Sequence, residues 1–375
     1  MLTLSPKAPF LYKPQNPNPN PKIQHYKPQI NGIYCKSELQ SERGLEFETG
    51  ETFFRHESAK GRDLGVLAAS LYNQSKGKLR VLDALCGCGI RSLRYLMEAK
   101  ADFVLANDAN DEHRRVILEN LKRVDRGFGD ERKWVVTHLD ANRVLSECYL
   151  QKDFFDLIDI DSFGSDISLF LRSAMNTLSF DGLLYVTSTD GHSSGGHHPD
   201  QVMLRVNRGK LLENRHYGFI TYCNNCGNSQ EFSWAELGQI SCSCSGSHGS
   251  RSLVISGPLW TGPLHSAAYI SKMINLAEEW GWIGNGAETD LEKLLKQMLD
   301  ESDPRLKSGY IKMDEVASRA KINSPPLRTM MSAMQKEGYA TSRSHIASNA
   351  IKTDCPMSVC IRISKELQGV DSFSV

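Results

Sequence analysis

Between residues 81 and 108 the spacing of apolar positions changes period twice. Val81–Leu85 is an apolar run broken only by Asp83. Leu93, Leu96 and Met97 then recur at helical spacing, and Phe103–Ala106 is apolar again. Run, helix and run describe one βαβ unit. The pattern predicts a strand ending at Asp83, a helix over 91–98 and a second strand over 103–106. Downstream it predicts a helix over 112–124, then strands over 134–137, 155–160 and 183–187. The fold class is therefore α/β, with a mostly parallel sheet. After residue 190 the pattern fades. GHSSGGHHPDQ reads as a polar, flexible loop whose His192, His197 and His198 are solvated, and only 219–222 looks strand-like before a cysteine run.

The first turn carries the chemistry. Gly87 and Gly89 permit a tight bend and close approach of a ligand to the backbone. Asp108 follows roughly 20 residues later, where an acid can take a ribose diol. The order acid-x-x-x-Gly-x-Gly, from Asp83 to Gly89, differs from the dinucleotide G-x-G-x-x-G. It is the form used by S-adenosylmethionine-dependent methyltransferases of the Rossmann-like class I. Asp140-Ala141-Asn142 closes another strand, where Asp140 can bond an adenine amino group while Ala141 flanks the ring. Asp159-Ile160-Asp161-Ser162-Phe163-Gly164-Ser165 ends the next. Acids in an apolar strand are costly unless exposed at the sheet's C-terminal edge. There Asp161, with Asp159 beside it, can accept the N–H of an exocyclic amine, and Phe163 can stack on an extruded base. Plain strand-end turns remain the alternative for each motif. A seven-stranded methyltransferase sheet also needs two strands after residue 190, and both are not evident.

The ten cysteines include one tight cluster. Cys223-x-x-Cys226 and Cys242-x-Cys244 are 15 residues apart, which fits a zinc ribbon with four thiolate ligands. The second pair is tighter than C-x-x-C, so His248 is an alternative ligand. Such a metal is structural, because four protein ligands leave no open position. Residues 305–352 carry nine Lys/Arg against three Asp/Glu. Two short helical patterns flank the 323–326 break, with Pro325 and Pro326 in the first turn of the second and Gly338 at its C-cap. Strand-like pieces follow over 339–345 and 350–353, completing a winged-helix-like α+β module whose basic excess suits phosphate.

Residues 1–37 hold five lysines, seven prolines and no acid. This leader cannot build a core and has the character of a transit peptide, although it lacks arginine. It points to an organelle, the chloroplast before the mitochondrion, with nucleus or cytoplasm as the alternative. Net charge is zero, with 44 basic and 44 acidic residues, so nucleic-acid affinity must come from local patches. No apolar run approaches the ~18 residues of a membrane span.

In order along the chain, these motifs resemble the tRNA (guanine-26-N2)-dimethyltransferase family. Phe53-Phe54-Arg55 and Gly61-Arg62-Asp63-Leu64 look like its N-terminal signature. The Asp83–Arg91 loop, Ala106-Asn107-Asp108, Asp140-Ala141-Asn142 and Asp159–Ser165 match its donor and catalytic motifs. Gly257–His265 (GPLWTGPLH), Ser324-Pro325-Pro326, Gly338-Tyr339, Ser342–His345 and Ile351–Asp354 follow its later blocks. The resemblance implies methyl transfer from S-adenosylmethionine to guanine N2 in tRNA, giving N2-methyl and N2,N2-dimethylguanine. It implies that Arg62 holds the donor's carboxylate, Asp108 its ribose and Asp140 its adenine. Arg343, His345 and Lys352 would grip the tRNA backbone. The implied domains are a leader (1–37), the methyltransferase domain (45–218), a zinc-ribbon-like insertion (219–250), a connecting segment (251–300) and the winged-helix-like tRNA-binding module (301–365).

Three departures from the family stand out. Ser162 replaces a proline, the second cysteine pair is C-x-C, and residues 190–222 are shorter than the family's segment. Donor binding is therefore expected to survive better than catalysis. Two other readings stay open: a catalytically impaired tRNA-binding relative, and an amine methyltransferase acting on another nucleic acid. The sequence leaves the oligomeric state open.

Overall fold

The computed structural model describes residues 39–128, 131–162, 168–188, 200–206, 216–242, 244 and 252–369. The leader, Phe163, the three histidines of HSSGGHH and His248 lie outside them. The chain divides into two compact units, Met1–Arg208 and Gly209–Val375.

The first unit opens with an antiparallel hairpin of β1 (Leu39–Glu42) and β2 (Leu45–Glu48) and a helix, α1 (Ala59–Lys76). The helix stops at Gly77, whose φ of +69° suits glycine and whose N–H returns to the Asn73 carbonyl at 2.7 Å. The βαβ unit follows as β3 (Arg80–Asp83), α2 (Ile90–Met97) and β4 (Phe103–Asn107). Next come α3 (Arg114–Leu121), β5 (Trp134–Thr137), α4 (Ala141–Gln151), β6 (Phe155–Ser162), α5 (Ser168–Thr177), β7 (Leu178–Ser188) and β8 (Asp200–Arg205). One sheet of order β5-β4-β3-β6-β7-β8 results, parallel except for β8.

Leu82, Leu105, Ile158, Ile160, Leu184 and Val186 cover one face of this sheet, against Val144 and Leu145 of α4 and Ala174 of α5. Strands buried on both faces read as continuous apolar runs, which is why the sequence located them. The exception is β8. The expected polar loop ends where Asp200 and Gln201 begin this strand. It was missed because Val202 and Leu204 are exposed at the sheet's edge, so no alternation marked it. Among the described residues the sheet has six strands, one beyond β7 rather than two.

The second unit is built around two three-stranded antiparallel sheets. In one, β9 (Tyr217–Cys223) lies between β10 (Ser229–Ser233) and β11 (Leu253–Trp260). The strand expected over 219–222 thus belongs to the cysteine-bearing sheet, and the 251–300 segment begins with that sheet's third strand. Helices α6 (Ala267–Glu279) and α7 (Asp290–Asp300) follow. The other sheet has β14 (Ala350–Thr353) between β12 (Ile311–Lys312) and β13 (Thr341–Arg343), with α8 (Met313–Ala320) and α9 (Leu327–Lys336) preceding its wing. Pro326 is the N-cap of α9 rather than part of its first turn, and Gly338, at φ +92°, follows its end as expected. Helix α10 (Met357–Leu367), which no motif announced, completes a core of Met313, Val316, Met330, Met334, Ile351, Cys360 and Ile363. No helix among the described residues is long and apolar enough to cross a membrane.

Candidate functional site

Parallel pairing sets Asp83, the last residue of β3, level with Asp159 of β6. Both side chains are fully buried. This corrects the expectation that the acids of β6 avoid desolvation by exposure. Asp159 is compensated instead. The Tyr95 hydroxyl donates to Asp159 Oδ2 at 2.6 Å and Arg91 Nη1 does so at 3.2 Å. Asp161, two residues on and partly open to solvent, accepts from Arg91 Nε at 3.1 Å. Arg91 also reaches the Thr187 hydroxyl at 3.4 Å. Arg91 is the residue that motif reading passed over. The signal was present: two acids in an apolar strand need a cation, and a buried one sits in the first turn of α2.

Asp83 accepts from the Ser92 hydroxyl at 2.7 Å. Burial, and then the charge of Asp159, push its carboxyl well above the usual range, and burial also raises that of Asp159. Oδ1 of each has no hydrogen-bond partner among the described residues. One cation cannot satisfy three carboxylates, so the buried two hold protons at higher pH than an ordinary aspartate does.

The loop between β3 and α2 is shaped by Gly87 (φ +55°) and Gly89 (φ +85°). A Cβ on Gly87 would meet nothing within 4 Å, so the backbone is bare toward open space. The Gly87 N–H donates to Asp108 Oδ2 at 3.0 Å, which brings the acid of β4's end to the loop. Asp108 Oδ1 accepts from the Asn110 N–H at 3.0 Å and lies 3.1 Å from His113 Nδ1. Burial raises the Asp108 carboxyl, but His113 and the two N–H donors prevail and hold it below the usual range. It is an ionised acceptor with lone pairs to spare. A bare loop beside such a carboxylate fits an adenosyl ligand. Cys86 and Cys88 are buried in this loop, and burial pushes both thiols up, Cys88 to about 11. They are neutral packing groups.

Asp140 is exposed and caps α4, accepting from the N–H groups of Asn142 at 2.9 Å and Arg143 at 3.2 Å through Oδ1, while Ala141 is buried. Arg62 is nearly buried and donates through Nε to Glu42 at 2.9 Å and through Nη2 to the Arg55 carbonyl at 2.9 Å. Its Nη2 also pairs with Glu42. Nη1 is the guanidinium nitrogen those contacts leave unused.

In the second unit the Sγ atoms of Cys223, Cys226, Cys242 and Cys244 lie within 4.8 Å of one another. The sulfur pairs Cys223–Cys244, Cys226–Cys242 and Cys242–Cys244 are 3.4–3.5 Å apart. A tetrahedral site with ~2.3 Å metal–sulfur bonds separates its sulfurs by about 3.8 Å, so the donor set fits such an ion. The first pair forms a knuckle at the end of β9, where Gly227 (φ +74°) returns its N–H to the Cys223 carbonyl at 2.7 Å. Backbone N–H groups, that of Cys226 foremost, hold the Cys223 thiol down at about 6.

A second cluster joins His265, Glu301 and His345. Glu301, at the C-cap of α7, accepts from the His345 N–H at 2.6 Å and lies 2.8 Å from its Nδ1, with Lys352 Nζ at 3.5 Å. Lys352 is almost wholly buried here, so its ammonium serves Glu301 and is withdrawn from any phosphate. That corrects its expected place on the tRNA backbone. Arg343 is exposed and His345 half-buried.

The family model for N2,N2-dimethylguanosine tRNA methyltransferase matches residues 36–207 and 202–365. Among curated proteins, the chain is 26% identical over 380 residues to the tRNA (guanine(26)-N(2))-dimethyltransferase of Pyrococcus abyssi, covering 88% of this chain and 96% of that protein. It is 27% identical over 407 residues to the Schizosaccharomyces pombe protein of the same name, covering 89% and 70%. Among solved structures, that of Trm1 from Pyrococcus horikoshii with S-adenosyl-L-methionine shares the fold, with a TM-score of 0.67 and 22% identity over 89% of this chain and 98% of that one. With the two matched segments spanning nearly every described residue of both units, the chain belongs to the N2,N2-dimethylguanosine tRNA methyltransferase family.

Proposed function

We infer that this chain methylates N2 of guanine 26 in tRNA, using S-adenosylmethionine as donor and forming N2-methyl and then N2,N2-dimethylguanine. The observation that carries the reading is the convergence of the bare Gly87 loop, ionised Asp108 and Arg91-held Asp161 at the ends of three adjacent parallel strands. When bound, S-adenosylmethionine supplies a methyl group on a cationic sulfur for in-line displacement by the amine, which loses one proton per methyl gained.

The chain's own contribution is position and charge. Asp108 receives the ribose hydroxyls, the exposed face of Asp140 the adenine amino group, and Arg62 Nη1 the donor's carboxylate. Asp161 accepts a hydrogen bond from the guanine amine, aligning its lone pair and offsetting the positive charge that develops on nitrogen. Arg91 fixes that carboxylate without neutralising both its oxygens, since the guanidinium is shared with Asp159. Phe163 stacks on the base, and Arg343 with His345 meets the tRNA backbone. The four thiols bind zinc as a structural ion. The acid-free leader supports import into an organelle, the chloroplast first; a fluorescent fusion of residues 1–37 that stays in the cytosol would rule this out.

The reading is tested by transfer of tritiated methyl groups to unmodified tRNA transcripts, wild type beside Asp161→Ala. Label on one guanine, lost in the variant, is the expected result. Transcripts bound but never labelled by the wild type would instead mark a binding relative, the reading that Ser162 and the shortened 190–222 segment favour.

A further inference from the structure

Arg319 lies on α8, the first helix of the C-terminal module, and its guanidinium reaches the cysteine knuckle at the β9–β10 turn. Nη1 donates to the Asn225 carbonyl at 3.0 Å and Nη2 to the Asn224 carbonyl at 3.4 Å. Nη2 also meets the Tyr222 hydroxyl at 2.8 Å, and Nε meets Glu315 at 3.0 Å. The Tyr222 hydroxyl is itself hydrogen-bonded to Glu315, so the fork is held from behind.

These two carbonyls are not arbitrary. The peptide group of the Asn225 carbonyl carries the Cys226 N–H, and that of the Asn224 carbonyl carries the Asn225 N–H. Both peptides belong to the knuckle that presents the sulfurs of Cys223 and Cys226 to the cluster. Arg319 therefore holds the Cys223–Cys226 knuckle through two of its peptide units. Gly227 leaves room for this: a Cβ there would stand 2.4 Å from Arg319 Nε. The contact is reinforced outside the knuckle, where the Ser308 N–H donates to Glu231 of β10 at 2.8 Å.

We propose that Arg319 is a positioning residue for the metal at the thiol cluster, and that it links metal occupancy to the seating of the winged-helix-like module. The proposal rests on reading the four cysteines as a zinc site. Partners behind metal ligands commonly govern how firmly the ion is held. Here the partner belongs to the first helix of the module that carries the wing. Metal retention and the module's grip on tRNA then rise and fall together.

The test uses the full chain as wild type, Arg319→Met and Arg319→Lys. Zinc content is read by atomic emission, and zinc release by transfer to 4-(2-pyridylazo)resorcinol. Cobalt(II)-loaded protein is followed by absorption, and tRNA transcript binding by gel shift. Arg319→Met should release zinc roughly 10- to 100-fold faster. Its sulfur-to-cobalt band should shift from the wild-type position, because a knuckle released from the guanidinium presents its thiolates differently. Its tRNA affinity should fall toward that of metal-stripped wild type. Lysine, able to reach one carbonyl, should restore part of each. A release rate and cobalt spectrum unchanged in Arg319→Met would overturn the positioning role. Faster release with undiminished tRNA binding would overturn the linkage. Wild-type protein that takes up neither zinc nor cobalt would overturn the metal reading itself. Should Arg319→Met fail to fold, Glu315→Gln, which loosens the guanidinium from behind, must still speed release measurably or the proposal falls.

Discussion

Asp83 and Asp159 in the first unit and Glu301 in the second are all buried carboxyls, yet they are displaced in opposite directions. The two aspartates are pushed up, and Glu301 is held down at about 2 even though its burial works the other way. The difference is the ratio of donors to acids. In the first unit Asp83, Asp159 and Asp161 surround one arginine and two hydroxyls. In the second, one glutamate has the His345 backbone N–H and ring, Lys352 and the neighbouring His265. The second arrangement ties elements together. The first concentrates unspent acceptor capacity at strand ends, which suits a site that must receive an amine and its proton.

Removing the acceptor is expected to have the largest effect. Asp161→Asn is expected to lower methyl transfer by 10²–10⁴-fold, in the range of positioned proton acceptors. Its affinity for S-adenosylmethionine should stay within about twofold by calorimetry. Equal loss of both would place Asp161 on the donor instead.

Next in size is the shared cation. Arg91→Met leaves Asp159 buried without its ion pair, and about 3–5 kcal/mol of stability should go with it in urea unfolding. Protonation of the acid reduces that penalty, so the variant should recover part of the loss on acidification. A loss below 1 kcal/mol at neutral pH would mean that the Tyr95 hydroxyl suffices.

Acid titration sets the two units against each other. The Glu301 contribution is fully present above its ordinary value of 4.5 and is lost as pH falls toward about 2. Contributions from Asp83 and Asp159 run the other way, greatest below 3.8 and lost as pH rises through their raised folded-state values. Four of the five tryptophans, at 234, 260, 280 and 282, lie in the second unit, so intrinsic fluorescence follows it. Between pH 5 and 3 that signal should show the second unit loosening, and Glu301→Gln should flatten the pH dependence. Superimposable curves for the two proteins would show that Glu301 is not the group responsible.

The smallest effect expected is at Gly87. Alanine there has room but must adopt φ +55°, at a cost of about 1–2 kcal/mol. Donor affinity measured by calorimetry should fall by about 30-fold at most, and an unchanged value would mean that the loop relaxes at no cost.

By itself the sequence determined the parallel strands and the turns between them. Val81–Asp83, Phe103–Ala106 and Trp134–Thr137 are mostly apolar, buried or half-buried runs closed by acids and glycines, and that signal is local. The thiol cluster was equally legible, because metal ligands need fixed residue types at short spacing. What the sequence left undecided depends on pairing between distant segments. Nothing near Asp159 shows that Arg91, 68 residues away, compensates it, or that the register of β3 and β6 levels it with Asp83. Nothing near Lys352 shows that Glu301 draws its ammonium inside. The exposed side chains of β8 gave no alternation, and only the free edge of β7 made that segment a strand. Local periodicity fixes where a chain turns and which face is apolar. Which charges meet in the interior is decided by tertiary packing, since their desolvation is offset only once the partner elements have come together.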